Sequence, residues 1–394
     1  MPSPPAKVCL VCGFDDCENI TRPTDLVELG DQSQLIESAV QLLAKSESPL
    51  ICGLSCLDSD AQMVAWKLAD QVRAIVDTSL IDHGRAAIQA VQRHGKVTAT
   101  YGEISSRSDV VVIWDCDLRP KHDCLLRMLC NDRVAGRKIV FVGAADSPMA
   151  QVADQVFSVD VTKERVEMIR LVCRLRAKVL GQTLHDEEFA DGDLQSARVQ
   201  DLFDVLRNAR YGSLFYSEHE PDWEFDLLTE SLLQLVGELN SITPFVGMKL
   251  RDDANGLGAE SVLSLASGFP AAISLQRGQA ASTGAVYSAA EILRRSACDT
   301  IVLLGNVNQS NSESVPAWLL DRLQRLTVIQ LAPVSDSFAD IFIACPTIEF
   351  GKAFAGKVLR GDGVMLSGAN PTDDRSAAAV LRSLLTAFQE NLDN

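Results

Sequence analysis

Four apolar runs constrain this chain more than any other feature: DVVVIWDC (109–116), RKIVFVGA (137–144), CDTIVLLGN (298–306) and LTVIQLAP (326–333). A strand that is apolar almost throughout has both faces buried, and the arrangement that buries both faces is a parallel sheet covered by helices on each side. The shorter runs PLICGLSC, AIVDTSL, QVFSVD, YGSLFYS, TPFVGMKL and ADIFIACP read as further strands. Between the strands, segments such as QLIESAVQLLAKS, SDAQMVAWKLADQVRA and FDLLTESLLQLVGELN place apolar residues at helical spacing. This alternation predicts an α/β chain with open, mainly parallel sheets.

Residues 1–33 look irregular, with three prolines before residue 6 and a cysteine cluster. QTLHDEEFADGDLQ is acidic and without period, which makes 183–195 the candidate linker between a first α/β domain (34–182) and a second (196–394). SRSDVVVIWDC and RSACDTIVLLGN both run through an acid into an apolar strand that stops at a small or polar residue. They read as two related units, each offering a strand end to a shared cleft, because ligands of such sheets sit beyond the carboxyl ends of strands.

A formal charge of −17 argues against nucleic-acid binding, which needs a concentrated basic surface. The short basic stretches RRSACD and VCRLRAK read as solvated helix faces. Every apolar stretch is broken within about ten residues, too soon to span a bilayer, and the N-terminus lacks the pattern of a signal peptide. Eleven cysteines scattered through strands and helices fit free thiols in a reducing cytoplasm.

Candidate chemistry concentrates at strand ends. In LDSDAQ, Ser59 fits a helix N-cap, with Asp58 as the alternative cap; the Gly-rich elbow that a nucleophilic serine needs is absent. Cys9, Cys12 and Cys17 contain a C-x2-C pair, which reads as free thiols or a degenerate metal site because no fourth ligand follows. His83 follows a strand and His122 starts a helix, so either can border a cleft. Asp115 and Asp117, after Trp114, suit acid–base work or capping. Asn255 and Gly256 open a glycine-bearing loop, NGLG, of the kind that brings phosphate close to backbone N–H groups, although Asp252 and Asp253 would repel an anion.

Taken in order, GLSCLDSDAQ, the D-x-S-x-x-x-HG of residues 77–84, YGEISSRSDVVVIWDCDLRPKH and the run from NGLGAE through SGFPAAISLQRG resemble the B subunit of formylmethanofuran dehydrogenase, over roughly residues 35–345. The resemblance implies two Rossmann-like units with mainly parallel sheets, as in the central domains of molybdopterin oxidoreductases. It also implies a cofactor cleft at Ser59, Asp60, His83, Trp114, Asp115, Asp117, His122, Asn255 and Gly256.

The departures from that family point away from redox chemistry. The position of the family's metal-binding Cys or selenocysteine is Ser59, and a hydroxyl is a harder ligand than a thiolate. The W-G-x-N pterin loop is here Trp114-Asp115-Cys116-Asp117. An aspartate about 5 Å from a cofactor phosphate costs about 3 kcal/mol at an effective dielectric near 20. Residues 1–33 resemble a shortened cluster domain. The expectation is therefore that the molybdenum or tungsten pterin and the iron–sulfur cluster are lost, and that no residue here is catalytic. In this state the chain resembles the non-redox B subunit of the bacterial formyltransferase/hydrolase complex. The implied partners are the A, C and D subunits: a zinc-dependent amidohydrolase-like A, a formyltransferase D, and C. That complex moves a formyl group from tetrahydromethanopterin to a methanofuran-like carrier and releases formate. Two alternatives stand beside this reading: an active Mo/W dehydrogenase subunit, and a binding module that uses the emptied cleft.

Overall fold

The structure is a computed structural model that describes residue 9 and residues 31–80, 85–119, 121–130, 134–159, 166–182, 196–217, 223–251, 253–307, 315–349, 354–368 and 376–393. In chain order the elements are α1 (Ser33–Lys45), β1 (Pro49–Cys52), α2 (Ser59–Gln71), β2 (Ile75–Asp77), α3 (Arg85–His94), α4 (Tyr101–Arg107), β3 (Val110–Trp114), α5 (Asp123–Leu129), β4 (Lys138–Gly143), β5 (Gln155–Ser158), α6 (Val166–Val179) and α7 (Ser196–Arg207). They continue with β6 (Gly212–Ser217), α8 (Trp223–Leu239), β7 (Phe245–Leu250), α9 (Gly256–Ser267), β8 (Ile273–Ser274), α10 (Ala289–Arg294), β9 (Thr300–Leu304), α11 (Ala317–Leu323), β10 (Thr327–Ala332), β11 (Ile341–Ala344), β12 (Lys357–Leu359), β13 (Met365–Ser367) and α12 (Ala377–Asp393).

The chain forms two compact units, and neither boundary falls at the acidic segment. One unit joins Met1–Asp82 to Asp252–Asn394, and the other is His83–Arg251. Residues 183–195 lie outside the described residues, but the strands on either side of them share one sheet, because β3 pairs with β6 in register from Val110–Gly212 to Trp114–Tyr216. Likewise β1 pairs with β9, from Pro49–Thr300 to Cys52–Leu303. The expected division at 34–182 and 196–394 is thus corrected: backbone pairing across the sheet, not composition along the chain, sets the units.

Both units follow one plan. The second unit has a wholly parallel sheet in the order β5-β4-β3-β6-β7, whose connections reverse direction between β3 and β6. The first has β11-β10-β9-β1-β2-β8, parallel apart from β8, and reverses between β9 and β1. In each unit the acid before the core strand ties down the loop before the neighbouring strand. Asp109, ahead of β3, accepts the N–H groups of Arg210 and Tyr211 at 3.0 Å. Asp299, ahead of β9, accepts that of Glu47 at 2.8 Å. A second pair repeats the device one connection later: Asp154 accepts from Ile139 N at 2.7 Å, and Asp340 from Val328 N at 2.8 Å. These bonds satisfy backbone donors at strand entrances that would otherwise be left unpaired.

Burial on both faces explains the apolar runs. In the first unit Ile51, Val302 and Ile329 join one core with α1, α2 and α12, while Leu50, Cys52, Ile301 and Val328 join another on the opposite face with α10 and α11. Each fully buried aliphatic side chain contributes roughly 1.5–3 kcal/mol.

Candidate functional site

The site of most interest lies where α2 begins. The strand PLIC ends at Cys52, and Leu54–Cys56 form a short 3-10 turn, so Cys56 does not continue the strand as PLICGLSC suggests. Helix α2 then starts at Ser59 with Asp58, not Ser59, as its N-cap: the Asp58 carboxylate accepts the N–H groups of Asp60 at 2.9 Å and Ala61 at 3.1 Å. Ser59 instead donates its hydroxyl to the Lys357 carbonyl at 3.2 Å. It is half-buried, and Asp60 is exposed.

Behind the cap sits a polar knot that the sequence did not reveal. Gln62, fully buried on the inner face of α2, donates its amide to the carbonyls of Leu54 and Leu57 at 2.9 Å and of Asn255 at 3.1 Å. Asn255, 1% exposed, precedes α9 but does not cap it. Its amide donates to Leu57 O at 2.8 Å, and its carbonyl accepts Leu359 N–H at 2.9 Å. Asn255 therefore fastens the β12–β13 hairpin, whose short strands lack a sequence signal, over the start of α2. Arg360 and Asp362 hold the turn of that hairpin through two bonds of 2.8 and 2.6 Å.

The glycines of NGLG serve this knot and do not form an open phosphate cradle. Gly256 N donates to Asp253 Oδ1 at 2.9 Å, so a carboxylate of the chain itself occupies the α9 N-terminus. A Cβ on Gly256 would lie 2.1 Å from Asp253 Oδ2, and one on Gly258 would lie 2.2 Å from Asn255 Oδ1. Asp58, Gln62 and Asn255 are buried here. Burial pushes the Asp58 carboxyl up, more than its backbone N–H donors pull it down. Burial likewise pushes the thiols of Cys56 and Cys345 up to about 12.

The remaining candidates belong to the second unit, at the end of β3. Trp114 is buried, and its indole N–H has no hydrogen-bond partner among the described residues. Asp115 takes a left-handed φ of 46° and donates its N–H to Val142 O at 2.8 Å. Asp117 is exposed and paired with Arg119, Nε to Oδ1 at 3.2 Å, so the repulsion expected of two unrelieved aspartates is reduced. His122 is buried at the position before α5. The structure thus brings Ser59, Asp60, Asn255 and Gly256 together in one unit and places Trp114, Asp115, Asp117 and His122 in the other. Cys9 is buried, whereas Cys12, Cys17 and His83 lie outside the described residues. Every described cysteine is a free thiol, and among the described residues no group of three or more His, Cys, Asp or Glu side chains is disposed to hold a metal ion.

No family model matches the chain. It is 25% identical over 354 residues to the B subunit of the tungsten-containing formylmethanofuran dehydrogenase 2 of Methanocaldococcus jannaschii, covering 85% of this chain and 77% of that protein. It is also 25% identical over 243 residues to the B subunit of the formyltransferase/hydrolase complex Fhc of Methylorubrum extorquens, covering 60% of this chain and 62% of that one. The chain is thus similar in sequence to B subunits of formylmethanofuran dehydrogenase and of Fhc. The fold agrees. A chain of the crystal structure of the formyltransferase/hydrolase complex FhcABCD from M. extorquens, in complex with methylofuran, matches with a TM-score of 0.72 at 22% identity, covering 93% of this chain and 98% of that one. Acetylene hydratase from Pelobacter acetylenicus matches with a TM-score of 0.59 at 10% identity, covering 91% of this chain and 58% of that one. The mixed α/β architecture with mainly parallel sheets is shared with both of these chains, as the B-subunit resemblance implied.

Proposed function

We propose that this chain is the structural, non-redox B subunit of a formyltransferase/hydrolase complex in tetrahydromethanopterin- and methanofuran-linked one-carbon metabolism. One observation carries the choice over a redox dehydrogenase subunit. The position assigned to the metal-binding thiolate is Ser59, whose hydroxyl donates its proton to the Lys357 carbonyl beside the Asp58 carboxylate. A molybdenum or tungsten ion favours a soft, deprotonated sulfur ligand, and a hydroxyl engaged as a donor does not meet that need. Asp253, which accepts the Gly256 N–H at the α9 N-terminus, adds negative charge where an anionic group would need that donor. We infer that the metallopterin and cluster have been lost and that the reaction chemistry belongs to the partners, homologues of the A, C and D subunits. Among the described residues no helix is long and apolar enough to cross a membrane, and we assign the complex to the cytoplasm.

The test is purification of the tagged chain from its native host, with mass spectrometry of the associated proteins and elemental analysis. The reading expects the A, C and D homologues to co-purify, with less than about a tenth of an equivalent of molybdenum or tungsten, because a tightly held resident metallopterin survives purification near stoichiometric amount. Stoichiometric metal would overturn it.

A further inference from the structure

The β12–β13 hairpin is built differently from the rest of its unit. Its strands pair with each other, from Lys357 opposite Ser367 to Leu359 opposite Met365, and form a sheet of their own. A two-stranded hairpin has little stability alone, so its position depends on what it lies against. Its buried side chains Phe354, Val358 and Leu366 gather with Ile348 in a small cluster, apart from the two large cores of the first unit.

The hairpin is braced from within. Gly368 N donates to Gly356 O at 2.9 Å, Arg360 N to Val364 O at 2.9 Å and Gly363 N to Arg360 O at 2.8 Å, and the Arg360–Asp362 ion pair holds the turn. Toward the helices run the bonds from the Ser59 hydroxyl to Lys357 O and from Leu359 N to Asn255 Oδ1. Gly356 lies flush against the α2 cap: its φ is 90°, and a Cβ there would stand 2.6 Å from the Asp58 Cβ. A small, self-braced piece that rests on its own cluster opens at a lower free energy than the core beneath it. The ion pair favours this. Its side chains are 9% and 0% exposed, and release returns hydration to both charges, offsetting part of the cost of uncovering Val358 and Leu366.

We propose that the β12–β13 hairpin is a strap that lifts from the start of α2 as one piece while the six-stranded sheet stays paired, and that its closure seals the Asp58 cap from water. Access to that cap is then set by the strap. Hydrogen exchange of the full chain, read amide by amide in urea below the unfolding transition, tests this. The Leu359 and Arg360 N–H groups should be protected at least about tenfold less than the Ile51 N–H of β1, with a shallower urea dependence, because a local opening uncovers little surface. The Ala61 N–H, which Asp58 accepts, should share the urea dependence of Leu359 and be no less protected. Gly356→Ala should speed exchange at Leu359 at least about tenfold, since the added methyl group presses on Asp58 in the closed position. Equal protection and equal urea dependence at Leu359 and Ile51 would show that the hairpin leaves only with the whole fold, and would overturn the strap. Ala61 following Ile51, or exchanging faster than Leu359, would overturn the seal. Unchanged exchange in a folded Gly356→Ala would overturn Gly356 against Asp58 as the closing contact. If that variant fails to fold, the wild-type comparisons decide the proposal by themselves.

Discussion

Asp115 and Gly305 occupy the same place in their respective sheets. Each follows the core strand at which the connections reverse, each has a positive φ, 46° and 94°, and each donates its N–H to the neighbouring strand at 2.8 Å, Asp115 to Val142 and Gly305 to Leu331. The left-handed conformation favours glycine, and aspartate tolerates it better than most other residues. Asp115 thus stands at a position whose backbone conformation favours glycine.

Replacing Asp115 by glycine should leave the melting temperature unchanged or raise stability by up to about 1 kcal/mol, because relief of the strained φ opposes the entropy of the freed chain. Asp115→Val should cost about 1–2 kcal/mol, since a β-branched residue fits this conformation poorly. Thermal melts of the two variants check the opposite signs.

Asn255→Ala should cost about 1–3 kcal/mol, because Leu359 N–H loses its acceptor in a buried place and Leu57 O keeps only its donor from Gln62. Gly258→Ala displaces the same carboxamide, so it should resemble Asn255→Ala, and the double variant should be clearly less than additive. Urea unfolding measures the losses. Faster hydrogen exchange at Leu359 would mark release of the hairpin.

Acid stability should divide these carboxylates by sign. Burial pushes Asp109 and Asp299 up, but the hydrogen bonds to Asp109 from Tyr211 and Arg210, and to Asp299 from Ser46, Glu47 and Ser48, leave both below the usual carboxylate range. Their contribution is present above the unfolded value of about 3.9 and is lost as pH falls through the lower folded value. Asp109→Asn and Asp299→Asn should therefore be destabilised at neutral pH and lose stability less steeply in acid.

Asp58 runs the other way. Its raised folded value means that its contribution is fully present below about 3.9 and is lost as pH rises through the folded value. Asp58→Asn keeps an oxygen to cap α2, so relative to wild type it should gain stability as pH rises from acid to neutral. Melts across pH 3–7 would show the two opposite trends, with pH 3 lying below and pH 7 above the ordinary carboxylate value.

Ser59→Ala should leave the activity of the assembled complex unchanged and alter stability by no more than about 0.5 kcal/mol, because the bond removed is a single partly exposed one. Activity that disappears without loss of assembly would give Ser59 a chemical role.

The strands were legible because burial on both faces leaves little room for polar residues: Val110–Trp114 and Thr300–Leu304 are buried at every position. The β12–β13 hairpin was not, since KVL and MLS carry no period and each buries one side chain, Val358 and Leu366, in a small cluster with Ile348 and Phe354. Asp58 and Ser59 are both good caps, and local chemistry does not choose between adjacent ones; the hairpin carbonyl that takes up the Ser59 hydroxyl decides it. Nothing local discloses that the Gln62 amide serves the carbonyls of Leu54, Leu57 and the distant Asn255.

The pairing of β1 with β9 has a consequence for how the protein is made. During translation residues 83–251 emerge as one continuous stretch that contains all five strands of their sheet. The strand at Pro49–Cys52 must wait until Thr300–Leu304 has left the ribosome before its sheet can close around it. The earliest part of the chain to be synthesised is thus among the last to be completed, and until then it exposes unpaired apolar edges of the kind that chaperones bind.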